Sequence, residues 1–361
     1  MKVKTMSTSL EMKNIQKFYG PLHVVKDFDL HIRASEFVTF LGPSGSGKTT
    51  ALKIIAGFEL PSAGDIFLGK RSIVDLPAYE RGIGMVFQNY ALFPHMTVAE
   101  NVAFPLTVRK APRVEVEEKV RRALGLVKMD PYSGRYPNQL SGGQQQRIAL
   151  ARAIVFNPSI LLMDEPLGAL DRNLRDHMKL EIMRIQRELN MTVVFVTHDQ
   201  DEALTMSDRI AVINEGRLVQ VDDSKNLYRK PKNRFVASFV GESNMIPCRV
   251  EHVERGIGKV TMGGLALGAA QLSGQRDGDE GWLFVRPEHI DIQQRAASSE
   301  VRNVLDGVVE NALFLGEMTR YVVRCGNETI TVKQQNRGQC QFECGAPVIV
   351  SWKPEDCTVL N

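Results

Sequence analysis

The chain has 361 residues, of which 43% are apolar and 24% charged, and its formal net charge is +3. This length is too great for one compact core and predicts at least two domains, while the composition is that of a folded rather than a disordered protein. No stretch approaches the roughly 20 apolar residues of a membrane-spanning helix, and no apolar run of a signal peptide follows the first residues. If the protein acts at a membrane, we expect it to dock on proteins embedded there.

Charge and cysteine are distributed unevenly along the chain. Residues 241–361 contain 12 Lys/Arg and 16 Asp/Glu, so the excess of positive charge lies in residues 1–240. All five cysteines follow residue 240, and an odd number without an export signal favours reduced thiols over a disulfide framework. Cys340 and Cys344 could belong to a metal site, but a spacing of four residues is not a strong ligand pattern.

Residues 36–164 alternate short apolar runs with stretches of helical periodicity, which is typical of a parallel sheet covered by helices. Three runs are apolar nearly throughout, as strands buried on both faces must be: residues 36–41, 159–163 and 192–196. Residues 97–126 are helical in character with a break near Pro112, and we expect them to belong to a helical subdomain of about residues 89–157.

The composition changes near residue 230, and short β-like runs with glycines follow Gly241. The later part contains an internal repeat, because the apolar run that ends in Arg-Pro-Glu at residues 286–288 is echoed by one that ends in Lys-Pro-Glu at residues 353–355. Two related β units packed as a small barrel would explain the repeat. The predicted domains are residues 1–240 and 241–361.

A glycine-rich loop follows the first buried strand and opens a helix. It fits the pattern of glycine, four residues, then Gly-Lys-Ser/Thr, and its members are Gly42, Pro43, Ser44, Gly45, Ser46, Gly47, Lys48 and Thr49, with Thr50 next. The glycines let backbone N–H groups turn toward a phosphate at a helix N-terminus, where the helix dipole favours anions. We expect Lys48 to reach the β- and γ-phosphates of a nucleoside triphosphate and Thr49 to place its hydroxyl on Mg²⁺.

The second buried strand ends in two carboxylates, Asp164 and Glu165. In a phosphoryl-transfer site Asp164 would hold the Mg²⁺ shell, and Glu165 would orient and polarise the attacking water. Two acids after a strand could instead cap a helix. The phosphate loop in the same chain favours nucleotide hydrolysis.

Residues 140–144, Leu-Ser-Gly-Gly-Gln, resemble the signature motif of ABC ATPases and stand between the two phosphate-site motifs, as they do in that family. The resemblance implies a P-loop NTPase (RecA-like) α/β core that binds ATP and Mg²⁺. It also implies a head-to-tail homodimer in which the partner's site is completed by Ser141, Gly142, Gly143 and Gln144. A serine and two glycine N–H groups at a helix start suit a γ-phosphate. Alternatively, the segment is a flexible turn before a helix at residues 144–155.

Further residues match the ABC ATPase family. Tyr19 stands where the family stacks an aromatic ring on adenine, whereas Phe18 better fits a strand aromatic in the core. Gln88 matches the glutamine that senses Mg²⁺, Asp171 ends a segment similar to the loop that crosses the dimer interface, and His198 matches the switch histidine on the γ-phosphate. No motif of the family is broken, so the resemblance implies two competent sites per homodimer, with Lys48, Gln88, Glu165 and His198 as the catalytic set.

The composition of the second domain helps to decide between three kinds of ABC protein. A soluble ABC protein of DNA repair or translation, or a β-barrel binding protein with an attached ATPase, needs a nucleic-acid surface. Residues 241–361 are net acidic and their aromatics lie in apolar runs, which argues against a nucleic-acid partner. One ATPase cassette followed by a doubled β module resembles the importer ATPases of the maltose, polyamine, iron(III) and sulfate systems.

The importer resemblance implies an all-β, OB-like (TOBE) second domain with a regulatory role. It implies two membrane-spanning permease subunits, an extracytoplasmic solute-binding protein, and a peripheral position on the cytoplasmic face of the inner membrane. In that family residues 88–96 border the groove that receives a short helix from the membrane subunit. Leu92 and Phe93 would be exposed there, or would otherwise form a core pair.

The ATPase does not touch the solute, so its sequence bears on the transported substrate only through resemblance. Residues 239–244 and 314–321 look most like the polyamine (spermidine/putrescine) branch, with the iron(III) and phosphonate branches close to it. Sulfate and sugar uptake remain alternatives.

Overall fold

The computed structural model describes residues 7–254, 257–262, 265–272, 274–294, 303–336 and 342–361. It divides into two compact units, Met1–Lys225 and Asn226–Asn361. The division falls earlier than the expected boundary after residue 240. One reason is that Ala237 forms a small apolar cluster with Phe284 and Leu360, which lie on strands of the second unit.

The first unit contains both strands and helices. Its strands are β1 (Leu10–Tyr19), β2 (Leu22–Ile32), β3 (Phe37–Leu41), β4 (Ala63–Leu68), β5 (Arg71–Ser72), β6 (Ile83–Val86), β7 (Ile160–Asp164), β8 (Thr192–Thr197), β9 (Arg209–Asn214) and β10 (Arg217–Asp222). Its helices are α1 (Lys48–Ala56), α2 (Val98–Val108), α3 (Arg113–Leu126), α4 (Gly142–Ile154), α5 (Arg172–Leu189) and α6 (Gln200–Met206).

A six-stranded sheet forms the centre of this unit, in the order β10-β9-β3-β8-β7-β6, and only the β9–β10 pair is antiparallel. Every residue of β3, β7 and β8 is buried, as the apolar runs predict. Alternate residues of each strand enter different cores. In β3, Val38 and Phe40 belong to the apolar core that includes α1, whereas Phe37 belongs to the core that includes residues of α2 to α5. A second, four-stranded sheet has the order β2-β1-β4-β5.

Local sequence explains where the helices begin. The Thr97 hydroxyl and the Glu100 side chain form a capping box at the start of α2, and Ser141 and Gln144 form another at the start of α4. Asp171 caps α5 by accepting a hydrogen bond from the Leu174 N–H at 3.0 Å. The break expected near Pro112 separates α2 from α3.

The second unit is built of strands. They are β11 (Asn244–Glu254), β12 (Ile257–Met262), β13 (Leu265–Leu272), β14 (Glu280–Val285), β15 (Asp291–Gln293), β16 (Asn303–Phe314), β17 (Met318–Cys325), β18 (Glu328–Gln335), β19 (Pro347–Trp352) and β20 (Cys357–Leu360). Two short helices precede them, α7 (Ser224–Arg229), which spans the division between the units, and α8 (Arg234–Phe239).

The internal repeat is visible in how these strands are arranged. A closed barrel has the order β11-β12-β13-β20-β14, and a five-stranded sheet has the order β15-β19-β16-β17-β18. Each Pro-Glu segment forms one turn of 3₁₀ helix that connects a strand of one sheet to a strand of the other. The first joins β14 to β15, which pairs with β19, and the second joins β19 to β20, which pairs with β14. Both sheets contribute to one apolar core. No helix in the described part of the chain is long and apolar enough to cross a membrane.

Candidate nucleotide site

The predicted site residues follow four neighbouring strands of the parallel sheet. Gly42 follows β3, Gln88 lies just beyond β6, Asp164 ends β7 and His198 follows β8. Because these strands are parallel, their carboxyl ends meet at one edge of the sheet, where ligands bind in open α/β sheets.

The loop between β3 and α1 requires glycine at two positions for different reasons. Gly47 has φ +100°, a left-handed conformation, and a Cβ there would lie 2.8 Å from the Val24 carbonyl oxygen. A Cβ on Gly42 would lie 2.1 Å from the Ile213 carbonyl oxygen. The loop therefore keeps a shape that residues with larger side chains cannot adopt.

Lys48 is the first residue of α1, and its side chain is only 4% exposed. Its ammonium donates hydrogen bonds to the carbonyl oxygens of Gly42 and Pro43, both at 2.8 Å. Burial lowers the pKa of Lys48, although the carboxylates of Glu165 and Asp164 oppose this shift. The neighbouring Ser46 hydroxyl is buried with no hydrogen-bond partner among the described residues. An ammonium and a polar atom held in this way fit a phosphate group.

Thr49 and Asp164, the expected Mg²⁺ ligands, are in contact. The Thr49 hydroxyl donates to a carboxylate oxygen of Asp164 at 3.1 Å. Burial raises the pKa of Asp164, while the hydrogen bond from Thr49 lowers it. An oxygen pair of this kind suits a hard cation such as Mg²⁺. Gln88, the third expected ligand, contacts Glu165 instead.

Glu165 is the point on which the expected catalytic side chains converge. One of its carboxylate oxygens accepts a hydrogen bond from the Gln88 amide at 3.4 Å and lies 3.3 Å from His198 Nδ1. Glu165 has φ +44°, and its backbone N–H donates to the Val196 carbonyl of the adjacent strand at 3.0 Å. The side chain is 20% exposed, compared with 58% for His198, so the carboxylate lies at the bottom of an open site.

The segment Ser141–Gln144 lies apart from the phosphate loop. Ser141 and Gly142 are exposed, and no hydrogen bond among the described residues joins the segment to residues 42–50. It is a capped helix start rather than a flexible turn. A Cβ on Gly143 would lie 2.7 Å from Leu174, in the first turn of α5, so the segment packs close to the helix that Asp171 caps.

The two aromatic residues at the end of β1 differ from expectation in one respect. Tyr19 is 43% exposed, with the Lys17 ammonium 4.8 Å from its ring centre. Phe18 was expected in the core, which is wrong: it is also 43% exposed and stacks on His23 with ring centres 3.9 Å apart. Phe18 and His23 are paired across the β1–β2 hairpin, where a ring can stack on its cross-strand neighbour instead of entering a core.

Leu92 and Phe93 are half-buried rather than freely exposed. Leu92 packs against the core of the helical region, and the Phe93 ring lies 4.6 Å from that of Phe104. Of the two cysteines considered as metal ligands, Cys344 is exposed and Cys340 lies outside the described residues. No group of three or more His, Cys, Asp or Glu side chains in the described ranges could hold a metal ion.

Sequence reasoning missed a polar network behind the site. The Arg175 guanidinium donates to the Leu170 carbonyl at 3.1 Å and to Asp199 at 3.2 Å, and it lies 3.7 Å from the buried Glu202 carboxylate. It therefore connects the loop before α5 with the segment that follows His198. The only signal in the sequence was the acidic pair Asp199 and Glu202 after His198. Their spacing of three residues is common on helix surfaces.

Comparison with known proteins identifies the family. A model described as ABC transporter matches residues 25–168, and one described as TOBE domain matches residues 283–360. The chain is 44% identical over 358 residues to the spermidine/putrescine import ATP-binding protein PotA of Rubrobacter xylanophilus. The match covers 98% of this chain and 94% of the Rubrobacter protein. The chain belongs to the ATP-binding proteins of ABC transporters. It is also 46% identical over 344 residues to PotA of Pseudomonas fluorescens, covering 92% of this chain and 91% of that protein.

Solved structures resemble the first part of this ABC ATPase. A dimeric structure of a post-hydrolysis state of the ATP-binding cassette MJ0796, bound to ADP and Pi, is 34% identical with a TM-score of 0.54. The match covers 60% of this chain and 98% of that cassette. The predictions of an α/β nucleotide-binding core, an all-β TOBE domain and an ABC-type ATPase that binds ATP are thereby confirmed.

Proposed function

We propose that this ABC ATPase drives the import of a polyamine, spermidine or putrescine. The observation that carries the ATPase role is the arrangement at the ends of four adjacent strands, where Thr49 contacts Asp164, and Gln88 and His198 contact Glu165. The polyamine assignment is supported by the names of relatives that are 44% to 46% identical over nearly the whole chain. Both nucleotide motifs are intact, which supports active hydrolysis rather than a degenerate, binding-only subunit.

Each side chain of the site has a distinct role in this proposal. Lys48 binds the β- and γ-phosphates, and the hydroxyl of Thr49 and the carboxylate of Asp164 hold Mg²⁺. When bound, the ion neutralises charge on the phosphate oxygens. Glu165 accepts a proton from the attacking water and orients it, Gln88 positions that carboxylate, and His198 donates a hydrogen bond toward the γ-phosphate. Tyr19 offers an exposed ring for the adenine base.

The complete site belongs to a head-to-tail homodimer. Ser141 and Gly142 are exposed at the start of α4, where the first N–H groups have no partner within the helix. These donors suit the γ-phosphate of an ATP bound to the phosphate loop of a second copy. The dimeric state of the similar MJ0796 cassette supports this arrangement. Asp171 lies beside the same surface, because it caps the helix whose Leu174 approaches Gly143.

The homodimer acts at the cytoplasmic face of the cell membrane together with two membrane-spanning permease subunits and an extracytoplasmic solute-binding protein. Closure of the dimer on two ATP molecules is transmitted to the permeases through the region of residues 88–96. The names of the import relatives support this assembly.

Polyamine uptake in the source organism tests the proposal. Deletion of the gene is expected to abolish high-affinity uptake of radiolabelled spermidine or putrescine, and the wild-type gene but not E165Q is expected to restore it. Uptake of iron(III), phosphonate, sulfate and maltose is measured in parallel. Unchanged polyamine uptake with loss of one of these other solutes would contradict the substrate while leaving the ATPase role in place.

A further inference from the structure

The last turn of α4 carries a buried arginine whose contacts differ from those of an ordinary salt bridge. The Arg152 guanidinium is 8% exposed and donates to the carbonyl oxygens of Tyr90 and Ala91, both at 2.7 Å. It also lies 5.5 Å from the centre of the Phe93 ring. No carboxylate in the described part of the chain pairs with it, and burial lowers its pKa.

The two residues that Arg152 holds have an unfavourable backbone conformation. Tyr90 has φ +61° and Ala91 has φ +47°, so two consecutive residues with side chains are left-handed. Such a conformation persists only where the surrounding structure imposes it. The Tyr90 hydroxyl is also buried with no partner among the residues described. A buried cation that holds two strained carbonyls is a costly arrangement, and a well-packed turn would be expected to avoid it.

The strained pair, Tyr90 and Ala91, is separated from Gln88 by one residue, Asn89. Gln88 is exposed, and its amide reaches the Glu165 carboxylate at 3.4 Å. Two residues later, the backbone is fixed by Arg152. Further along, the fully buried Asn101 side chain bonds both the N–H and the carbonyl of Phe93. Because the direction of the chain at residue 90 determines where Gln88 can reach, removal of the guanidinium should move the amide away from Glu165.

The other end of the helix that carries Arg152 is the capped start at Ser141. α4 is one continuous helix of 13 residues. We therefore expect a displacement of Ser141 to reach Arg152 and, through its hydrogen bonds, Tyr90 and Ala91.

We propose that Arg152 is a positioning residue for Gln88, and that it makes the Gln88 segment move together with the helix that begins at Ser141. The inference rests on the proposed function, in which Gln88 serves the ATP of its own subunit and Ser141 serves that of the partner. Arg152 then joins, within one subunit, the parts that sense the two nucleotides of the dimer.

A matched control is available in the second unit. The Arg286 guanidinium is 1% exposed, donates to the carbonyl oxygens of Tyr228, Ala237 and Glu242, and lies over the rings of Tyr228 and Phe284. None of the three residues whose carbonyl oxygens Arg286 contacts has a positive φ. Arg152→Met and Arg286→Met therefore remove the same chemical group from similar surroundings, but only the first lies beside Gln88.

The test is a double-mutant cycle on the full-length protein with Mg²⁺-ATP. Arg152→Met is expected to lower kcat about tenfold or more, because small misplacements of a catalytic group have effects of this size. The KM for ATP is expected to stay within about twofold, and Arg152→Met combined with Gln88→Ala should be no slower than Gln88→Ala alone, again within about twofold. Arg286→Met should keep the wild-type kcat per folded molecule. If Arg152→Met does not fold, Arg152→Lys takes its place in the cycle.

Two results separate a failure of this inference from a failure of the proposed function. The positioning role alone would be overturned if the fold-losses in kcat of the two single variants multiplied in the double variant. It would also be overturned if Arg152→Met had a normal kcat while Gln88→Ala was impaired. A normal kcat for Gln88→Ala would instead remove Gln88 from the proposed function, and the inference with it.

Discussion

The two units of the chain differ in where they place left-handed backbone conformations. In the first unit, residues with side chains adopt them, including Tyr90, Ala91 and Glu165. In the described part of the second unit, positive φ values fall on glycine alone, as at Gly274 and Gly316. Such residues are uncommon and cluster at functional sites. Tyr90, Ala91 and Glu165 lie at or near the candidate site, whereas Lys110 and Lys128 follow the ends of α2 and α3.

Buried charge occurs in both units, but only the first unit places it beside an open site. In the first unit, Lys48 and Asp164 are buried at an open edge of the sheet, and their surroundings shift both pKa values toward the neutral form. In the second unit, Arg286 is enclosed by carbonyl oxygens and aromatic rings, and burial lowers its pKa as well. The two units therefore differ in where the buried charge lies: Lys48 and Asp164 face an open edge of the sheet, whereas Arg286 is enclosed. Matched substitutions in the two units test whether this difference matters for activity.

The largest difference is expected for a carboxylate in each unit. Glu165→Gln should leave ATP binding intact and lower turnover by about 10² or more, the usual effect of losing a catalytic acid or base group. Glu288 accepts a hydrogen bond from the Tyr228 hydroxyl at 2.5 Å and lies in the second unit. Glu288→Gln should therefore leave turnover unchanged. Steady-state ATPase assays and nucleotide titrations check both variants, and near-normal turnover of Glu165→Gln would remove Glu165 from its role.

A smaller difference is expected for two glycines with nearly the same backbone conformation. Gly47 has φ +100° and Gly274 has φ +103°, but only the first has neighbours that would contact a Cβ. A left-handed alanine should lower the free energy of unfolding by about 1–2 kcal/mol in Gly274→Ala. The loss should be larger in Gly47→Ala, because its Cβ would also lie 2.8 Å from the Val24 carbonyl oxygen. Gly47→Ala should also weaken ATP binding about tenfold or more, the size of one lost hydrogen bond to a charged group. Thermal unfolding and ATP titration measure the two effects. Equal ATP affinity in both variants would contradict the importance of the loop shape.

The smallest effect concerns the thiols of the second unit. Burial raises the pKa of Cys357 to about 12 and the pKa values of Cys248 and Cys325 to about 11. At pH 8 only about one Cys357 thiol in 10⁴ is ionised, so iodoacetamide should react with it far more slowly than with the exposed Cys344. Peptide mapping by mass spectrometry follows each thiol separately. Equal labelling rates in the folded protein would show that the barrel opens readily.

Much of the site could be predicted because its motifs are tied to buried strands. The runs that form β3, β7 and β8 are apolar nearly throughout, which is typical of parallel strands buried on both faces. Once the strands are parallel, the residues after them must meet at one edge, which is why Thr49, Asp164 and His198 lie in one site. The repeat in the second unit was equally visible in the sequence.

Other features depend on contacts between distant residues and have no local signal. Arg152 lies on α4 among apolar residues, and nothing in the sequence indicates that its partners are the carbonyls of Tyr90 and Ala91. The exchange of β15 and β20 between the two sheets cannot be read from a repeat, because each repeat would also be consistent with a closed sheet of its own. Phe18 was misplaced since an apolar ring on a strand can stack on a cross-strand neighbour as well as enter a core.

The central claim is that each ATP is bound by the phosphate loop of one subunit and the Ser141 segment of the other. Mixed dimers with two affinity tags test it most directly. When Lys48→Ala is in one chain and Ser141→Arg in the other, both changes fall in the same composite site, and the second site should still hydrolyse ATP. When one chain carries both changes and its partner is wild type, each site has one defect and hydrolysis should be lost. The reverse result, with activity only when both changes share a chain, would contradict the head-to-tail site.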